Sequence, residues 1–288
     1  MMRPTTMRLV LLTPVLLVVA LSVGAGVAAS HPQQAAISHP TGAAKVVLRV
    51  SSGGGFVPVQ FNLRAMPSFT LYGNGTVIVP GPVIQIYPGP AVTPLVRSKL
   101  SERQVQALLL RARRAGLLGP RAIDYGDMGT VGISDAPTTT LIVNAAGRHI
   151  KRQAYALGIT TQSGRLTPAQ AKARQALARF IARLPQGVSG ASYAPHAIAA
   201  YVGPFRGQAQ PGGRRVVWPL ESNLATAGKP VSSGLEYRCI LVGGAGAKKL
   251  TAALRKANEL SRWIARPGAT VAYQLVARPL LPDERRCP

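Results

Sequence analysis

Residues 100–119, LSERQVQALLLRARRAGLLG, carry both ends and the buried face of one helix in their own chemistry, and no other stretch constrains its neighbours as tightly. Ser101 is placed to accept the backbone N–H of the third helical residue, and Gln104 to accept the amide of Ser101 in return, a capping box of the S-x-x-Q kind. Val105, Leu108, Leu109 and Ala112 recur at i, i+3, i+4 and i+7 and form one apolar stripe. Arg113 and Arg114 fall in the last turn, where the helix dipole favours cations, and Gly116 supplies a left-handed cap with Leu117 placed to fold back. A helix striped on one side must be covered by a sheet or another helix, and β-like segments stand before and after this one.

Residues 45–51, KVVLRVS, read as a first strand. Residues 68–79, SFTLYGNGTVIV, alternate on either side of Asn74-Gly75, a pair suited to a type I′ hairpin turn. Residues 80–90, PGPVIQIYPGP, fit an edge strand or an extended loop. A second hairpin is expected from residues 138–144 and 149–157 around the turn at 145–148. A second helix follows, capped by Thr167 and Gln170 with Pro168 at its first position, striped by Ala173, Leu177, Phe180 and Leu184, and ended by Pro185.

Residues 186–195, QGVSGASYAP, lack period and read as a linker, which divides an N-terminal domain, 45–185, from a C-terminal domain, 196–288. In the latter, strands are expected at 197–202 and 214–218. A strand-helix-strand unit follows over 236–242, 247–264 and 270–277, its helix striped by Leu250, Leu254, Ala257 and Ile264. The expectation is an α+β protein of two small domains, with antiparallel sheets each packed on amphipathic helices.

The first 30 residues read as a secretory signal peptide: Arg3 and Arg8, an apolar core over 9–21, and small residues over 27–30, with cleavage expected between Ala28 and His31. Residues 31–44 have no period and read as a disordered leader. No later apolar run reaches the roughly 18 residues that a membrane span needs, so the chain reads as secreted or facing the cell envelope. Cys239 and Cys287 are the only two cysteines, and an even count in an oxidising compartment favours a disulfide between them.

Lys and Arg number 34 against 9 Asp and Glu, a net charge of +25 that falls to +23 once Arg3 and Arg8 leave with the signal. Two explanations stand side by side. One is an acidic partner such as an envelope polymer. The other is the codon bias of a high-GC genome, which fits 26 Arg to 8 Lys spread along the whole chain. Aromatic residues are only 5%, too few for the stacking platforms of single-stranded nucleic acid, so no specific nucleic-acid partner is expected.

Signs of catalysis are sparse. GVSGA at 187–191 and GISDA at 132–136 fall short of G-x-S-x-G and do not join a strand to a helix. His31 and His39 lie in the leader, and His149 and His196 stand far from any second ligand type, so no metal site is expected. VGGAGAKK at 242–249 lacks the Gly-Lys-Ser/Thr ending of a phosphate loop and reads as a helix start that needs tight backbone. Asp124, Asp127 and Asp135 share one long loop, without the spacing of a calcium ladder; turn formation or pairing with arginines, a metal, or paired acids for hydrolysis are the readings open to them. Neither cofactor nor catalytic residue is assigned. The functional expectation is binding of acidic envelope polymers, with an exported hydrolase built on the Asp124–Asp135 loop as the alternative.

LYGNGTVIV, then LSERQVQALLLRARRAGLL, then DAPTTTLIV with the following GRH and YALG, and finally RPLLPDE before a cysteine, resemble a family of uncharacterised, signal-peptide-bearing proteins of high-GC Gram-positive bacteria. The resemblance spans most of residues 45–288 in pattern and implies an exported protein. It implies no activity, ligand or site residue.

Overall fold

A computed structural model describes residues 35–128, 133–159, 166–185, 190–231 and 235–288, so the expected signal peptide lies outside the described residues. The chain runs β1 (Val46–Gly53), α1 (Val59–Arg64), β2 (Phe69–Tyr72), β3 (Thr76–Pro80), β4 (Leu95–Lys99), α2 (Glu102–Arg114), β5 (Thr138–Ala145), β6 (Arg148–Tyr155), α3 (Pro168–Ala182), β7 (Ala191–Ser192), β8 (Ala197–Pro204), β9 (Arg215–Val217), β10 (Lys229–Pro230), β11 (Arg238–Gly243), α4 (Gly244–Arg255), β12 (Arg262–Ile264) and β13 (Ala272–Pro279). The fold is α+β. Seven strands form one sheet in the order β6-β5-β1-β2-β3-β4-β7, and six form another in the order β10-β11-β8-β13-β12-β9. Every pairing is antiparallel except β12 with β9. Residues 36–288 cluster as one compact unit.

Both capping boxes form, and α2 ends as its sequence specifies. Gly116 takes φ +74°, its amide bonds the Arg113 carbonyl, and the Leu117 amide reaches back to Ala112, which is a Schellman motif. The stripes of α2 and α3 cover one face of the seven-stranded sheet in a cluster with Leu48, Val50, Leu71 and Leu141. In the other sheet the central strand β8 is buried on both faces. Ile198, Ala200 and Val202 meet α4 and the edge-to-face pair Trp218–Trp263, while Ala197, Ala199 and Tyr201 meet Val59 and Leu63 of α1. A strand covered on both sides reads as a continuous apolar run of small residues rather than as an alternating one.

Four local expectations change. Of the three loop residues between β2 and β3 only Gly75 has positive φ, so the turn is a type I turn with a glycine bulge, not a type I′. The Pro40 carbonyl and the Leu100 carbonyl approach Gly73 and Gly75 so closely that neither position has room for a Cβ. The type I′ turn falls instead between β5 and β6, where Ala146 and Gly147 have φ of 52° and 70°. The expected leader is folded from residue 36: Ile37 is buried, and its amide and carbonyl pair with the Gln106 side chain on α2. The expected helix over 247–264 stops at Arg255. Asn258 turns the chain by accepting the Leu260 amide and donating its own amide to the Ser261 hydroxyl, and Trp263 and Ile264 then enter the core on a strand. Of the expected linker, the part described carries β7, which adds to the edge of the seven-stranded sheet against Val96 and Arg97.

The two sheets meet on the segment after β13. Leu280 packs into the cluster beneath β8, and the next residue, Leu281, packs against Tyr72, Ile78 and Leu95 of the other sheet. Asp283 accepts from Arg49 on β1 and from the Tyr72 hydroxyl on β2, both at 2.7 Å. Glu284 takes the Arg278 guanidinium in a two-pronged bond at 2.9 Å, while the Nε of the same arginine holds the Ala65 carbonyl behind α1. Burial opposes ionisation of Asp283, but Arg49 and Tyr72 outweigh it and hold the carboxyl below its usual range. Burial and the bond to Asp283 together push the Tyr72 hydroxyl far above its ordinary value. The tail is fixed further by the expected disulfide, Cys239 on β11 to Cys287, with a Cα separation of 6.4 Å.

Asp283→Asn leaves the Arg49 guanidinium without a charged partner where the two side chains are only 16% and 22% exposed. Urea denaturation should show a loss of about 2–4 kcal/mol at neutral pH. Because the folded carboxyl is depressed, its stabilisation is present above the unfolded value near pH ~4 and is lost as pH falls through the folded value, so the variant should be less acid-sensitive than the wild type below pH ~4. Reduction of the disulfide, whose partners lie 48 residues apart, should cost about 2–4 kcal/mol and lower Tm. A Cys239→Ser/Cys287→Ser variant should melt with the reduced protein.

Candidate functional site

Helix α4 is the element around which cationic and concave surface coincide. It starts without a side-chain cap at Gly243, through Gly244 with φ +54° and Gly246, where a Cβ would meet Val242 at 3.2 Å. The glycine run is thus a tight strand-to-helix junction. Leu250 and Leu254 bury one face against β8 and β11, and Lys248, Lys249 and Arg255 are exposed on the rest of the helix.

Along one flank of α4 runs a cleft of about 950 Å³, walled by residues 90–95, by 192–196 and by the helix itself. Ala91, Pro94, Pro195 and Ala252 give it an apolar lining, and Lys248, Thr251 and Arg255 stand along it at i, i+3 and i+7. Seven residues of helix set the two cations about 10 Å apart along the axis. The Thr251 hydroxyl is engaged by its own helix, donating to the Ala247 carbonyl at 2.7 Å. On the opposite flank a second depression of about 550 Å³ is lined by Lys249, Lys256, Arg214 and Arg215. No aspartate or glutamate lines either depression.

These six cations have no carboxylate partner among the described residues. The guanidinium groups of Arg214 and Arg215 donate to the Lys256 and Ala269 carbonyls, which orients them without neutralising them. Elsewhere the excess of arginine is used differently. Arg152 and Arg174 are 5% and 7% exposed and each donates to three backbone carbonyls, those of Leu117, Gly119 and Arg121, and of Tyr125, Tyr155 and Ala156. They satisfy carbonyls in the loop after α2 and at the end of β6. Neither role was legible in the composition.

The acidic loop divides. Asp124 accepts the Gly126 amide on one oxygen and the Gln170 side chain on the other, both at 2.8 Å, so it locks the loop onto the capping box of α3. The bond from Gln170, then that from Gly126, holds its carboxyl below the usual range. Asp135 takes φ +64° in the turn before Ala136-Pro137, whose amide at Ala136 is held by the Tyr155 hydroxyl. Asp127 makes a polar or electrostatic contact of its own. Among the described residues no three His, Cys, Asp or Glu side chains are grouped so as to hold a metal ion. His196 gives Nε2–H to the Glu284 carbonyl and His149 bonds Asn144, so both serve the fold.

Comparison of the chain with family models, curated proteins and solved structures returns no match.

Proposed function

We propose that this protein is a non-catalytic binder of acidic polymers of the cell envelope, engaging them along α4. One observation carries the reading: Lys248, Lys249, Arg255, Lys256, Arg214 and Arg215 surround two depressions that contain no carboxylate. An extended polyanion lying in the cleft would meet Lys248 and Arg255, two turns of helix apart, beside an apolar wall, which suits a polymer with repeating charge and a carbon backbone. The Cys239–Cys287 disulfide, and the lack among the described residues of a helix long and apolar enough to cross a membrane, are compatible with work outside the cytoplasm.

Retention on heparin and on immobilised polyphosphate, followed across a salt series, tests the site. Lys248→Ala/Arg255→Ala should elute at distinctly lower salt, with the slope of log K against log salt reduced by roughly one to two. Neutralising two exposed cations on α2, Arg111→Ala/Arg114→Ala, should shift elution much less. Equal shifts from the two pairs would reduce the binding to diffuse charge and remove the site. Polymer turnover that disappeared in Asp135→Asn would instead support the hydrolase alternative.

A further inference from the structure

Residues 80–90 place apolar side chains where a water-soluble surface has no use for them. Ile84, Ile86 and Tyr87 are 78%, 64% and 73% exposed, and Val83 is 47% exposed. Scattered apolar residues on a surface are ordinary, whereas four within five positions of one loop are not. The loop is also held in place. The Gly81 amide bonds the Pro94 carbonyl at its start, the Ile86 amide bonds Ile84 at its tip, and the Gly89 amide bonds Glu259 at its end at 2.8 Å. Prolines at 80, 82, 88 and 90 restrict the backbone between these bonds. Because the exposure belongs to a braced loop, little conformational freedom remains to be lost when the tip is covered.

Charge beside the loop indicates what covers it. Arg214 and Arg255 line the same shallow depression as Val83, Ile84, Ile86 and Tyr87, and no carboxylate lines it. Glu259, which anchors Gly89, is already paired with Arg64 at 3.1 Å, and Arg64 in turn lies over the half-exposed Phe61 ring at 4.5 Å. Side chains exposed to this degree stand out from the surface and would need a deep matching cleft in a protein partner. A lipid interface closes around a protruding tip without one. Two exposed isoleucines, an exposed tyrosine and two arginines lining the same depression are the residue types that suit the apolar boundary, the headgroup layer and the anionic surface of a bilayer.

We infer that the 83–87 loop inserts into the interface of an anionic lipid bilayer, with Arg214 and Arg255 against the headgroup phosphates. No helix of the described residues could span the membrane, so the contact is peripheral and reversible. The inference shares Arg214 and Arg255 with polymer binding at α4, but its apolar tip, residues 83–87, lines neither α4 depression and can be tested separately.

Sedimentation with vesicles of equimolar phosphatidylcholine and phosphatidylglycerol, at ~0.15 M salt where exposed charges are largely screened, tests it. The wild type should pellet with these vesicles and much less with pure phosphatidylcholine. Ile84→Ser/Ile86→Ser should lower the partition coefficient by about 30-fold or more while leaving Tm and heparin elution unchanged. A Tyr87→Trp variant should shift its emission to the blue on adding the anionic vesicles. If the serine variant pelleted like the wild type, binding would be electrostatic alone and the insertion would be overturned, with the α4 reading intact. A wild type that failed to pellet would overturn it as well, as would a lipid-free dimer that the serine variant abolishes, since the loop would then dock on a second copy.

Discussion

Two adjacent carboxylates, Asp283 and Glu284, hold this fold in one piece. Each faces an arginine from a different part of the chain, Arg49 on β1 inside the seven-stranded sheet and Arg278 near the end of β13. The segment just before them sends Leu280 into one core and Leu281 into another. Apolar contact alone would let such a tail slide, because hydrophobic burial has no direction. Two-pronged and paired charge contacts in a largely buried site fix its register, and the removal of either acid leaves a guanidinium stranded. The same pair of acids governs its surroundings: burial and the neighbouring carboxylates push the Tyr193 hydroxyl up to about 12, which keeps it a neutral donor to the Leu280 carbonyl.

The arginines of this chain do three distinct jobs. Arg49 and Arg278 neutralise buried acids, Arg152 and Arg174 cap orphan carbonyls, and the group around α4 stays unneutralised at the surface. The net charge of +25 already subtracts the acids that arginines neutralise, so what a partner would meet is the cations left unpaired, six of which stand around α4. A guanidinium suits all three jobs because it offers several donors in a fixed plane and does not deprotonate.

What could be read from the sequence was whatever is decided within a few residues. The capping boxes at Ser101 and Thr167, the Schellman turn at Gly116 and the stripes of α2 and α3 rest on contacts three to seven positions apart, and the disulfide was expected from the count of two cysteines together with the compartment expected for the chain. What could not be read joins distant residues. Arg49 and Asp283 are 234 positions apart, and Arg278 and Ala65 are 213. At Asn258 a helical stripe continued on paper while local side-chain bonds turned the chain, and Asn258 with Ser261 was the available signal. The cleft along α4 was hidden for the same reason: its far wall comes from residues 90–95 and 192–196. Of the site residues expected from sequence, Asp124 turned out to serve the α3 cap and Asp135 a strained turn.

If the surface charge is organised rather than diffuse, a short acidic oligosaccharide should find one place on the molecule. Backbone amide chemical-shift mapping of the labelled protein during titration with a heparin tetrasaccharide, at ~0.15 M salt, asks this directly. Shifts that saturate together over residues 248–257, 214–215 and 192–196, with the β5–β6 hairpin and the Asp124–Asp135 loop unmoved, are the expected result. Small shifts scattered over arginines and lysines throughout the chain, without saturation, would contradict the assignment of a binding site to α4.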